Sequence, residues 1–155
     1  MKLINGDAIE EMDKLIAGGV KVDAIITYPP YGTTACKWDA IIPFEEMWSR
    51  LKSLRKERTP IVLFGSEPFS SALRMSNIKE FKYDWIWKKP RGTGHLNCTK
   101  QPMRNVENIC VFYKAQCVYN PQYKNGEPYS SLKGGKSTTL SEKGHTTYGR
   151  FFNGS

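Results

Sequence analysis

Two short runs made almost entirely of apolar residues limit the folds open to this chain: Ala24–Ile26 within Val20–Thr27, and Pro60–Gly65, which reads PIVLFG. A strand that is apolar without alternation needs cover on both of its faces. Around these runs the apolar residues change to a helical period. Ile9, Met12, Leu15 and Ile16 share one helical face, Asp7 with Glu10 gives the D-x-x-E arrangement of a capping box, and Gly18-Gly19 stops the helix. Phe44, Met47, Trp48, Leu51 and Leu54 fall at helical spacing, with Pro43 suited to the first turn. Met1–Asn5 reads as a short strand. Ser66 is placed to cap a short helix through Phe69, Ala72 and Leu73, and Lys82–Trp87 and Asn108–Tyr113 read as two more strands. Helices alternating with strands predict an α/β domain with a mainly parallel sheet.

The 155 residues suit about one domain, able to bury roughly 68–70% of its unfolded surface. The periodic pattern stops after Tyr119. The division expected is therefore an α/β core over 1–119 and a loop-rich segment over 120–155, where Gly, Ser, Thr, Lys and Tyr dominate. Lys133-Gly134-Gly135-Lys136-Ser137 has the look of a phosphate-binding loop end. Ser130 stands where that pattern needs its first glycine, and the reading is rejected.

Charge narrows the partners. The net charge is +8, from 23 basic and 15 acidic residues, and the excess is uneven. From Lys88 to Arg104 the chain reads KKPRGTGHLNCTKQPMR without a single acid, which points toward a polyanion such as nucleic acid. Cys36, Cys98, Cys110 and Cys117 have no CxxC spacing and read as free thiols, so no metal is expected. His95 and His145 have no partner set that argues for catalysis. No apolar run approaches 18 residues, so no membrane span is expected. Asp7, Glu10, Glu11 and Asp13 stand where a signal peptide needs an apolar stretch, and a cytoplasmic location in a bacterial or phage-infected cell is expected.

Tyr28-Pro29-Pro30-Tyr31 follows an apolar strand, at the carboxyl end where open α/β sheets hold ligands. With NGDAIEEM, VDAIITYPPYG, VLFGSEPFSSALR, YDWIWKK, TGHLN, PMR and VFYK in order over residues 1–153, the chain resembles the amino-methylating DNA methyltransferases. It is most similar to adenine-N6 enzymes of the permuted β-type, which carry [Asp/Asn/Ser]-Pro-Pro-[Tyr/Phe/Trp] early. The resemblance implies a Rossmann-like fold and S-adenosylmethionine as cofactor. It places Tyr28, Pro29, Pro30 and Tyr31 at the catalytic motif, with the Pro29 carbonyl accepting from a flipped adenine's amine and the Tyr31 ring stacking on the base. Asp7 and Ala8 fall where the family contacts the cofactor. The segment 88–105, with Lys88, Lys89, Arg91, Thr93, His95, Asn97, Lys100 and Arg104, falls where the family faces DNA.

Two departures weigh against transfer chemistry. Tyr28 replaces the acid of the motif, and a neutral phenol is a poor acceptor beside a carboxylate. The glycine-rich F-x-G-x-G turn that cradles the cofactor lies C-terminal in the family and has no counterpart after Tyr119. The expectation is an incomplete methyltransferase fold lacking the cofactor half and binding no S-adenosylmethionine. Its role would be that of an inactive pseudoenzyme attached weakly to DNA or to a nucleic-acid-binding protein complex, for example as a phage or mobile-element inhibitor of a defence system. The alternatives are half of a split adenine-N6 methyltransferase completed by a second chain, or a truncated product without function. A homodimer or hetero-complex is expected, because the strands absent from the family sheet would leave a raw edge.

Overall fold

The computed structural model describes residues 2–122 and the paired strands Leu132–Lys133 and Lys136–Ser137. The chain divides into two units, 1–118 and 119–155. The first unit holds α1 (Ala8–Ala17), β1 (Ile25–Thr27), α2 (Phe44–Leu54), β2 (Ile61–Gly65), α3 (Phe69–Ser76), β3 (Phe81–Thr93), a short 3-10 turn (His95–Asn97) and β4 (Arg104–Phe112). In the second, β5 (Leu132–Lys133) pairs antiparallel with β6 (Lys136–Ser137). The rest of the expected loop-rich segment lies outside the described residues.

The sheet order is β1-β2-β4-β3. The α/β class stands, but parallel pairing is confined to β1 with β2, continued by a single parallel bridge between Val22 and Arg55. Both β2–β4 and β3–β4 are antiparallel, so the mainly parallel sheet read from the alternation is corrected to a mixed one. The reason is local: β3 returns into β4 through residues 94–103, which hold only a 3-10 turn and are too few for the crossover that a parallel partner needs.

Apolar periodicity places the helices well. The Asp7 carboxylate caps α1 by accepting from the amides of Ile9 and Glu10 at 2.9 and 3.2 Å. In α2 the residues Met47, Trp48, Leu51 and Leu54 are buried, and Pro43 sits at the N-cap, one residue before the first turn. Met47, Trp48 and Leu51 pack with Phe69 and Leu73 of α3 on Ile61, Leu63, Cys110 and Phe112, one face of the sheet. Phe112, Ile61 and Leu63 are wholly buried, each worth about 1.5–3 kcal/mol of transfer from water. Trp48 Nε1 donates to Ser76 Oγ at 2.8 Å, tying α2 to α3.

Four other expectations change. Lys2–Asn5 form no strand; Leu3 is 89% exposed and finds no ladder partner among the described residues. The strand expected over Val20–Thr27 shortens to β1, and Ile26 is 69% exposed, so only one face of β1 is covered. Pro68, not Ser66, is the N-cap of α3; Ser66 contributes its carbonyl to the amide of Ser70 at 3.0 Å. Strands β3 and β4 run on as a hairpin through the basic segment. Pairing slips between Lys88 and Thr93, which accommodates Pro90, a residue with no ladder donor.

Candidate nucleic-acid interface and its pocket

The carboxyl ends of β1 and β2 and the β3–β4 hairpin enclose a cavity of about 630 Å³. Tyr28, Pro29, Pro30 and Tyr31 all line it, with Asp39, Ser66, Lys89, Thr93, Arg104 and Glu107. The loop after the two prolines is fixed by Asp39. Its carboxylate accepts from the amides of Tyr31, Gly32, Thr33 and Thr34 at 2.8, 2.9, 2.9 and 2.7 Å. A hydrogen bond from the Thr34 side chain, followed by the backbone amides and opposed by burial, lowers the Asp39 pKa to about 2. Gly32 turns the chain at φ +66°, and a Cβ there would meet Ile41 at 2.8 Å. Both observations explain glycine at that position.

Glu107 is the centre of the pocket, and the sequence reading did not single it out. It lies in β4, opposite Trp87, and is 5% exposed. Tyr28 donates its hydroxyl to both carboxylate oxygens at 2.8 Å, and Tyr31 donates to Oε2 at 3.4 Å. Lys89 Nζ forms an ion pair with Oε1. The rings of Tyr28 and Tyr31 stack with centroids 5.0 Å apart. Burial is the main cause raising both phenol pKa values, and the Glu107 charge adds to it. The bond to Glu107 likewise raises the Lys89 pKa. One signal of Glu107 was present in the sequence: an acid interrupting the strand-forming run from Val106 to Phe112.

The other expected residues divide. Lys88, Arg91, His95, Asn97 and Lys100 are exposed on the hairpin and its 3-10 turn. Lys89 is committed to Glu107, and Arg104 donates through Nη1 to the Glu67 carbonyl at 3.0 Å. Thr93 Oγ1 donates to the Arg104 carbonyl at 3.3 Å, inside the hairpin. All three thus have a partner within the protein, although Thr93 and Arg104 remain exposed and only the Lys89 charge is met by an acid. Asp7 and Ala8 start α1 and do not line the pocket. All four cysteines are free thiols; Cys36 and Cys98 are exposed, Cys110 and Cys117 buried. Among the described residues no group of metal-ligating side chains occurs, and no helix is long and apolar enough to cross a membrane.

No family model and no curated protein matches the sequence. Solved structures share its architecture, among them the following two. The M1.HpyAVI–SAM complex matches with a TM-score of 0.59 at 24% identity, over 79% of this chain and 61% of that one. The structure of M1.HpyAVI matches with a TM-score of 0.58 at 25% identity, over 81% of this chain and 61% of that one. The fold is methyltransferase-like, and the chain spans about three fifths of the length of the structures it matches. S-adenosylmethionine is the ligand named for the first of these structures. In this chain Oδ1 of Asp7 caps its own helix, and the acceptors of Glu107 already face two phenols and an ammonium.

Proposed function

We propose that this chain is a methyltransferase-like protein that holds nucleic acid without methylating it. One observation carries the reading: the Tyr28 hydroxyl donates to both oxygens of Glu107 within the pocket. At the motif position where transfer chemistry needs an acceptor for a base amine, this chain presents a donor already in use. The Tyr28 ring also fills space beside Tyr31 that a flipped base would need. Among the described residues the pocket's carboxylates are Asp39 and Glu107, and both are engaged, Asp39 by four backbone amides and Glu107 by two phenols and Lys89.

Transfer of labelled methyl groups from S-adenosylmethionine to adenine-containing duplexes is expected to stay at background. Incorporation by the unaltered chain would overturn the inactive reading. Attachment to nucleic acid rests on the free cations of the hairpin, Lys88, Arg91 and Lys100. If each neutralises one phosphate of a duplex, log K falls against log salt with a slope of about −2.7. Fluorescence anisotropy over a salt series measures it, and replacing the three by alanine is expected to flatten it. Such contacts position a protein and read no sequence.

The free edge of β1 favours a companion reading on assembly. In the order β1-β2-β4-β3 the outer side of β1 has no strand beside it among the described residues. Edges of this kind are normally paired or covered. A second chain, either another copy or a polypeptide supplying further strands, would complete the sheet and could contribute cofactor contacts. Light scattering is expected to give a dimer or, with such a polypeptide present, a stable complex; a monodisperse monomer at high concentration in both cases counts against it.

A further inference from the structure

The helices cover one face of the sheet; the opposite face carries aromatic side chains in the open. Ladder pairing puts Trp85 opposite Ile109 and Trp87 opposite Glu107, on the side away from the buried Cys110 and Phe112. Trp85 is 42% exposed, Trp87 43% and Tyr28 54%. The rings form a track. Tyr28 lies 5.3 Å from Phe64, Phe64 meets Trp87 edge-on at 6.1 Å, and Tyr83 meets Trp85 at 5.5 Å. Exposed indoles are costly to leave in water, and a monomer has no structural need for two of them side by side on one strand.

Charge says what the face suits. Lys89 Nζ stands 5.3 Å from the centre of the Trp87 ring, and Arg91 and Lys100 lie exposed farther along the hairpin. The acids nearby are neutralised: Glu107 by Lys89, and Asp84, on the other face, by Arg74 at 2.7 Å. An acidic peptide would use the cations but not the row of rings, and an apolar partner would use the rings but not the cations. A ligand that presents flat π-faces along a polyanionic backbone uses both. In a duplex the base faces are hidden in the stack; in a single strand they are free.

We propose that this sheet face is a stacking platform for single-stranded nucleic acid, with Trp85, Trp87 and Tyr28 under successive bases and the hairpin cations on the phosphates. It rests on the nucleic-acid reading above and adds to it the strandedness of the ligand and a surface that runs from the pocket's edge at Tyr28 out along β3.

The test uses the whole chain with a twelve-nucleotide oligothymidylate and a twelve-base-pair duplex, followed by anisotropy and tryptophan emission. The single strand is expected to quench tryptophan emission and to bind more tightly than the duplex. Trp85→Ala is expected to weaken the single strand on the order of tenfold and to leave the duplex unchanged, whereas W85F keeps most of the affinity. Circular dichroism checks that both variants fold. Oligothymidylate binding that is indifferent to Trp85→Ala and W85F overturns the platform while leaving the nucleic-acid reading intact. Failure to bind either ligand at low salt overturns both. A change in sedimentation of the free protein on Trp85→Ala, without quenching by oligothymidylate in the parent, would assign the face to a second copy and overturn the proposal.

Discussion

Replacing Glu80 by glutamine is expected to lower the unfolding free energy by about 3 kcal/mol near neutral pH, with the loss shrinking in acid. Glu80 lies in the turn before β3 and receives both Nη atoms of Arg55, the residue that ends α2, at 2.8 and 2.7 Å. Asn77 Nδ2 adds a bond at 3.1 Å. The two side chains are only 10% and 16% exposed, so solvent screens the pair weakly. The bond from Arg55, against the opposing cost of burial, lowers the Glu80 pKa from 4.5 to about 2. A lowered carboxylate pKa stabilises the folded state above the unfolded value and ceases to do so as pH falls through the folded value. The window is therefore from pH 4.5 down to about 2. At about 1.4 kcal/mol per unit the full contribution is on the order of 3 kcal/mol, and about half of it is gone at pH 3. Urea unfolding of the parent and of Glu80→Gln at pH 7, 4 and 3 checks this. A difference that stays constant with pH would show that Arg55 does not set it.

Lys89→Met is expected to cost a similar amount, about 3 kcal/mol, because it leaves the Glu107 carboxylate buried without its cation. Glu107 is 6% exposed at the side chain and Lys89 24%. The phenols of Tyr28 and Tyr31 stay as donors, which is why the cost is placed at the lower end for a broken buried pair. Removing the charge as well, in the double variant Lys89→Met with Glu107→Gln, is expected to return most of the loss. The two substitutions should therefore be strongly non-additive in a double-mutant cycle read by urea unfolding. Additive losses would mean that the ammonium and the carboxylate do not depend on one another. The Lys89 pKa is raised, so its contribution is complete below the ordinary lysine range and is lost as pH climbs above it. The same variant bears on function. With Lys89 removed, the nucleic-acid salt slope should stay near its parent value, since this lysine is occupied inside the protein and not on a phosphate.

Local rules made much of this molecule readable in advance. Asp7 caps a helix because its side chain reaches amides two and three residues on, and the α2 core residues follow from their spacing alone. Tyr28-Pro29-Pro30-Tyr31 lines a pocket because prolines end a strand at the sheet's carboxyl edge. The fold class and the free thiols are of this kind too. What the sequence by itself did not settle depends on residues far apart in the chain. Tyr28 and Glu107 are 79 residues apart, and only the placement of β4 beside β2 brings the phenol to the carboxylate. The same placement takes Lys89 out of the basic surface and makes it a counter-ion, although in the sequence it is one of several unopposed cations. Burial on two faces was inferred for the β1 strand from its apolar run, yet Ile26 stays exposed, because composition states what a face would gain from cover and not whether another element reaches it. Strand direction was decided by the return of β3 into β4, and with it the face on which Trp85 and Trp87 stand, since alternation fixes which side chains share a face and only the ladder fixes which side that is.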